Sequence, residues 1–380
     1  MKVSCLQENL AKGLSIVGRA VANRSTLPIL SNVLITTDGK DRLKLSASNM
    51  EVGINCWIGA KVQEEGATTV PARLLTDFVN SLPPERIEMD LNDDSQMLNL
   101  RCARFEANIK GIEAQEFPPV PSLDAGDEII RLEPDTLRQM INQVTFAAAN
   151  DESRPILTGI RAQFNHETLI MTGTDGYRLS LKTIPLMHPI DEELDVVIPA
   201  RALSELARIL GDQDEPVQMV VTANRHQILF HLTDIDLVSQ LLEGNFPDVA
   251  QTIPTDHSTR AVLDTSNFLK AARVSHLFAR DAANIVKIDV TPGDGGLVSG
   301  NLMISATSQE LGDNISEIDA SVEGDSVEIA FNAKYLIDIL NVMDSAQVSL
   351  DTVASDSPGV LRPIGDESFT HVIMPMHLTR

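Results

Sequence analysis

The sequence predicts an α+β protein of three homologous domains, each packing two helices on antiparallel strands. Three observations carry that reading. Short motifs recur at a nearly constant step along the chain, helical and strand periodicities follow the same order in each copy, and turn-forming stretches separate the copies.

The repeat is plainest at Val70-Pro71-Ala72-Arg73-Leu74-Leu75, which returns as Ile198-Pro199-Ala200-Arg201-Ala202-Leu203. A third copy, Phe331-Asn332-Ala333-Lys334-Tyr335-Leu336, follows after a similar interval without the proline. Pro28-Ile29-Leu30 returns as Pro155-Ile156-Leu157, and Glu116-Phe117-Pro118 as Asn245-Phe246-Pro247. Ser48-Asn49 returns as Thr174-Asp175 and, more faintly, as Thr307-Ser308. A step from Val70 to Ile198 is a whole domain, because solenoid units run only about 20–50 residues. The domains expected are 1–125, 126–256 and 257–380, separated in the Pro/Asp/Gly-rich stretches 118–127 and 254–258.

Within the first copy, Leu10, Leu14, Val17 and Val21 fall at helical spacing, predicting a helix over 8–22. Strands are expected over 33–37 and 43–58, where Val52, Ile54, Cys56 and Ile58 alternate with other residues. A second helix over 72–82 carries Leu74, Leu75, Phe78 and Leu82 and stops at Pro83-Pro84. Two or three strands then close the unit. The second copy places its helices near 135–148 and 201–210, the third near 266–280 and 333–343.

Composition excludes several classes. Among 380 residues, 30 Lys and Arg face 54 Asp and Glu, a net charge of −24 that repels polyanions as a whole-body property. Aromatic residues are 4%, too few for base-stacking platforms. The three cysteines, Cys5, Cys56 and Cys102, form no CxxC and are read as small buried hydrophobes of a reducing cytoplasm. Neither an apolar run long enough to span a bilayer nor an apolar leader occurs, so no membrane segment is expected.

The scarce cations gather on the helices: Lys12 and Arg19, Arg73, Arg138, Arg201 and Arg208, then Lys270, Arg273, Arg280 and Lys334. Arg73, Arg201 and Lys334 occupy one position of the repeat, basic each time. Singly, each reads as a solvated residue, with Arg73 beside Asp77 and Arg201 beside Glu205 at i+4. As a repeated set they point to a shared anionic partner. Two chains with their helices inward would supply twelve helices. At a spacing of about 9–10 Å these trace a circle about 36 Å across, leaving an opening of about 26 Å that admits a duplex.

The motifs then meet a known family. Thr26-Leu27-Pro28-Ile29-Leu30 after Arg24, Thr69-Val70-Pro71-Ala72-Arg73, Thr174 to Leu179 and Gly244-Asn245-Phe246-Pro247-Asp248 resemble the bacterial DNA polymerase sliding clamps, the beta subunits of DNA polymerase III. The tail Val372-Ile373-Met374-Pro375-Met376-His377-Leu378 is the most specific of these. The resemblance covers essentially the whole chain. It implies a homodimer joined head to tail into a six-domain ring around double-stranded DNA, without sequence readout, catalytic site, metal or cofactor. It implies as partners the replicative polymerase alpha subunit, an ATP-dependent clamp loader, and other polymerases and repair proteins that bind through short linear motifs. The location implied is the bacterial cytoplasm, at the nucleoid, with no membrane.

Residue by residue, the resemblance assigns DNA contact to Arg24, Arg73, Arg138, Arg154, Arg201 and Lys334. The 151–156 loop carries Pro155 and Ile156 where some members have tyrosines. A peptide-binding cleft is implied at Leu157, Thr174, Gly176, Tyr177, Arg178, Leu179, Pro247, Val372, Ile373, Met374, Pro375, Met376 and Leu378. Two departures mark its rim, His377 for a usual arginine and the extension Thr379-Arg380. The ring joint is implied at Phe105 and Ala107, facing Leu277 and Phe278 of the second chain; alternatively Leu277 and Phe278 belong to their own helix's core.

Enzyme readings are set aside on the residues themselves. The eight histidines form no HExxH and no i, i+4 pair. Gly293-Asp294-Gly295-Gly296 lacks the lysine of a phosphate loop and reads as a hairpin turn, and Thr174-Asp175-Gly176 reads as a turn between strands. Two alternatives stay open: an acidic peptide-binding scaffold that does not encircle DNA, and an acidic hydrolase.

Overall fold

The computed structural model describes every residue except 23–26, 124–128, 152, 212, 223, 282, 294–299 and 378–380. In the first repeat, β1 (Lys2–Leu6) leads into α1 (Gln7–Val17), followed by β2 (Asn32–Asp38), β3 (Arg42–Ser48), β4 (Val52–Glu64) and β5 (Ala67–Pro71). Helix α2 (Ala72–Asn80) and the meander β6 (Arg86–Asn92), β7 (Met97–Cys102) and β8 (Phe105–Lys110) complete it.

The second repeat opens with β9 (Ile130–Leu132), α3 (Pro134–Thr145), β10 (Gly159–Asn165), β11 (Thr168–Thr174), β12 (Arg178–Pro185) and β13 (Leu194–Pro199). It closes with α4 (Ala200–Ile209), β14 (Val217–Val221), β15 (Gln227–His231) and β16 (Ile235–Gln240). The third runs β17 (Thr259–Asp264), α5 (Thr265–Ala279), β18 (Ile285–Thr291), β19 (Gly300–Ser308), β20 (Gly312–Gly324) and β21 (Val327–Asn332). Its end is α6 (Ala333–Asn341), β22 (Gln347–Thr352), β23 (Gly359–Pro363) and β24 (Phe369–Ile373). The same order of strands and helices appears three times.

The Val-Pro-Ala-Arg echo is a strand running straight into a helix. Pro71 ends β5 as the residue before α2 with φ −54°, a value its ring fixes in advance. In the third copy Asn332 takes that place and its side chain accepts from the Lys334 amide at 2.9 Å, a cap that replaces the rigid proline.

The strand expected over 43–58 is two strands. Met50 has φ +74°, Ser48 Oγ accepts from its amide at 3.1 Å, and Asn49 Oδ1 accepts from the Glu51 and Val52 amides. Thr174 and Asp175 build the same turn with Gly176 at φ +91°, and Ser308 Oγ accepts from the Glu310 and Leu311 amides. The third anchor is therefore Ser308-Gln309, one residue later than Thr307-Ser308.

The chain packs as two compact units, 1–137 with 205–241, and 138–204 with 242–380. Each holds one 12-stranded sheet. In the first, β4 of repeat one pairs with β16 of repeat two, from Val52↔Ser239 to Cys56↔Ile235. In the second, β12 of repeat two pairs with β24 of repeat three, from Arg178↔Ile373 to Lys182↔Phe369. The two joints share one register: the fourth strand of one repeat meets the last strand of the next. Compact packing therefore divides the second repeat, which sequence reasoning had kept whole.

Burial follows the predicted apolar faces. Leu10, Leu14 and Val17 of α1 are buried. The second unit's core gathers Phe268, Phe331 and Phe369, each without exposed surface. A Cβ added at Gly359 would stand 2.4 Å from the Phe331 ring, so only glycine lets β23 cross it.

Candidate peptide cleft and basic helix positions

The turn between β11 and β12 forms one wall of the predicted cleft. Thr174 Oγ1 donates to the Arg178 carbonyl at 2.7 Å and accepts from the Gly176 amide at 3.0 Å. Tyr177, at the apex, is 60% exposed, and its carbonyl accepts from the Met374 amide at 2.9 Å, tying the turn to the C-terminal segment. Met374 is 41% exposed, and the Met376 amide donates to Ala330 O at 2.8 Å. Leu179, Val360 and Val372 form a small cluster against Val249 and Ile253, and Leu157 is buried beside its own 3-10 turn. Exposed Pro247 follows Gly244, where an added Cβ would lie 3.6 Å from the Ile156 side chain.

Of the predicted cleft residues, Leu157, Thr174, Leu179 and Val372 are buried in the wall just described, and Ile373 and Arg178 are buried away from it. Ile373 is wholly buried in the core of the third repeat. Arg178 is a buried anchor with 8% of its side chain exposed: Nε donates to Asp175 at 3.1 Å, Nη1 to Asp338 at 2.6 Å, and Nη2 to the Phe146 carbonyl at 2.8 Å. Its guanidinium lies 4.3 Å from the Tyr335 ring centroid. Arg178 thus holds the turn from beneath. Sequence reasoning missed Tyr335 and Asp338, which α6 places one turn apart on one face; their spacing was the available signal.

Close by, Ser180 Oγ and His371 Nδ1 are 2.7 Å apart, and His371 Nε2 has no hydrogen-bond partner among the described residues. Burial, with Arg178 nearby, holds the His371 pKa well below the ordinary value. Burial also pushes the Tyr335 hydroxyl up. Leu378 and the residues after it lie outside the described residues, as does Arg24.

The repeated basic position behaves alike in every copy. Arg73, Arg201 and Lys334 are each the second residue of their helix, and each is exposed. Arg73 meets Asp77 only at 3.9 Å with 95% of its side chain exposed. Arg201 does not take Glu205 as expected; that carboxylate holds Arg19 at 3.0 Å and Arg208 at 2.6 Å. Arg138 is half-buried on α3. Arg154 is exposed but turns toward the cleft, since a Cβ on Gly176 would lie 3.0 Å from its Nη1.

At the predicted ring joint, Phe105 is 53% exposed on β8, which among the described residues pairs only with β7. Ala107 is half-buried beside it. On α5, Leu277 is 49% exposed, while Phe278 is half-buried and packs partly against the core of its own repeat. The first part of β20 has β19 on one side, while β17 pairs only from Ala320 onward. A groove of 850 Å³ starts on that free half and continues into the paired half, between Val274 of α5 and Ser316 to Val322.

All three cysteines are buried, and burial pushes the thiols of Cys5 and Cys56 up to about 12. Among the described residues no cluster of three His, Cys, Asp or Glu could hold a metal, and no helix is long and apolar enough to cross a membrane. Gly293 lies in a loop; the rest of the expected glycine hairpin, 294–296, is outside the described residues.

Family models for the N-terminal, central and C-terminal domains of the DNA polymerase III beta subunit match residues 1–121, 131–248 and 250–377. The chain belongs to that family. Its relatives include the beta sliding clamp of Bacillus subtilis, 31% identical over 386 residues and 99% of each chain. The beta sliding clamp of Staphylococcus aureus is 32% identical over 368 residues and 94% of each chain. The crystal structure of the Bacillus subtilis DNA polymerase sliding clamp superposes with a TM-score of 0.93 at 30% identity, covering all of both chains. A Pseudomonas aeruginosa sliding clamp solved with griselimycin gives 0.91 at 28% identity, again over all of both chains. As a beta subunit the protein is a non-catalytic accessory of DNA polymerase III, which sets the hydrolase reading aside.

Proposed function

We propose that this beta subunit closes with a second copy into a ring around duplex DNA and tethers the polymerase through the cleft at the second joint. One observation carries the proposal: both joints within the chain use one strand register, and that register leaves a matching pair of free edges. At each joint the first residue of a last strand, Ile235 or Phe369, faces the fifth residue of a fourth strand, Cys56 or Lys182. Carried to the third joint, Phe105 would face Ser316 of the partner subunit and Ala107 would face Asn314 of the partner subunit. Asn314 and Ser316 are half-buried on the face that α5 covers, where Ser275 donates to Asn314 at 2.8 Å. Phe105 would then lie on the exposed Leu277. Two chains joined so would pair both of these edges and close the cycle, the favoured outcome for a homo-oligomer.

The charge distribution supports the same function. A net charge of −24 with cations at one repeated helix position keeps phosphate attraction shallow, so a duplex is retained topologically and still slides. The cleft offers Met374, Met376 and Tyr177 to short linear motifs, adaptable surface suited to exchange among polymerase, loader and repair proteins at the nucleoid.

Retention on nicked circular DNA against the same DNA linearised, after loading by the cognate loader, tests the ring. A topological clamp stays on the circle and runs off the ends. Equal retention on both forms refutes encirclement and leaves the peptide-binding scaffold.

A further inference from the structure

The elements that frame the cleft recur at the first joint, where they enclose a second pocket of 240 Å³. It lies in the first unit between the Ser48–Glu51 turn, the linker at 118–121 and the end of β16. Val238 pairs with Gly53 as Val372 pairs with Leu179, and Pro118 holds the repeat position of Pro247.

The shape is related and the chemistry inverted. Where the cleft has Tyr177 and Arg154, the first joint has Glu51 and Leu27, and Val52 stands in place of the buried, ion-paired Arg178. The described residues lining the pocket carry one carboxylate, Glu51, and no cation. Met50, 54% exposed, stands in place of Gly176 and supplies an apolar wall. Part of the space is taken by the chain itself, since a Cβ on Gly53 would meet the Val120 side chain at 2.8 Å.

We infer that this pocket is a second docking site, for a short extended peptide whose single apolar anchor is flanked by lysine or arginine. The anchor would enter between Met50 and the prolines, and the exposed Glu51 carboxylate at the lip would select the neighbouring cation. The acidic surface of the chain adds attraction for such a peptide, which the exposed Arg154 offsets locally at the cleft. The inference rests on reading the second-joint cleft as a peptide groove, from which it takes only the mode of binding.

Methionine methyls report the two sites separately: Met50 for the pocket and Met374 for the cleft. The full-length protein, ¹³C-labelled at methionine methyls, is titrated with Ac-Lys-Lys-Leu-Lys-Lys-NH₂, with Met50→Leu and Met374→Leu identifying the resonances. The Met50 signal should move saturably, and Glu51→Lys should weaken that response at least tenfold. The same peptide with serine for leucine should leave it still. A Met50 signal that stays fixed at millimolar peptide, while Met374 responds to a Leu-Phe peptide, overturns this inference and leaves the cleft intact. If neither methyl responds to either peptide, the cleft reading falls and takes the inference with it. An undiminished response in Glu51→Lys, or an equal one to the serine peptide, also overturns the site.

Discussion

Replacing Arg178 with alanine removes the anchor under the cleft and should destabilise the second unit by about 3–4 kcal/mol. Cutting one partner from a buried ion pair costs about 3–5 kcal/mol, because the abandoned carboxylate has lost its cation without regaining water. Here the cost falls toward the lower end. Asp175, 14% exposed, keeps two backbone donors in its turn, and Asp338 is 37% exposed and can rehydrate. The lost guanidinium contact with Tyr335 adds about 1 kcal/mol. Trp57, the sole tryptophan, lies in the first unit, so its fluorescence and far-UV circular dichroism separate the units during urea unfolding. At a slope of about 2–3 kcal/mol per molar urea, the dichroism midpoint of the second unit should drop by roughly 1–2 M. Arg178→Lys keeps the charge but not the fork and should fall between. Adding Asp338→Asn to Arg178→Ala should cost little more, because those two residues share one interaction. A shift below about 0.3 M for Arg178→Ala, or strict additivity in the double variant, would refute the anchor.

Three further outcomes follow from the same geometry. Reversing Arg73, Arg201 and Lys334 to Glu should cripple loading while the dimer persists in sedimentation, and Arg201→Ala alone should lower the salt slope of DNA association by at most about one; normal loading by the triple variant would make the repeated position an ordinary solvated face. Deleting residues 374–380 should abolish binding of a fluorescent Leu-Phe peptide while the ring still forms, and equal affinities for intact and truncated protein would return these methionines to a supporting core. His371 is held neutral in the fold but takes a proton when unfolded below about pH 6.5, so stability of the second unit should fall as pH drops below about 6.5, by at most about 1.4 kcal/mol per pH unit. His371→Leu should flatten that slope, and an unchanged slope would assign the acid sensitivity elsewhere; Asp366, which burial raises but its Lys182 and Ser368 hydrogen bonds lower on balance, contributes only as pH falls below about 5.

By itself the sequence determined the threefold repeat, the helix faces and the repeated basic position. All three are local or periodic: Leu10, Leu14 and Val17 share a face because of the helical period, and a strand entering a helix at Pro71 or Pro199 writes the same residues each time. The turn that splits the strand over 43–58 was hidden, because Met50 at φ +74° is not a residue that announces a left-handed turn. Tertiary structure alone decided that Arg178 lies beneath the cleft and Ile373 within the core: Arg178 is held by Asp338, which α6 brings from a different repeat, and Ile373 by the face that β24 turns into its own repeat's core. It alone set the strand register of the two joints. Pairing between β4 and β16 joins strands of two repeats through backbone hydrogen bonds, which any side chains can accompany, so no pattern in the sequence records the partner.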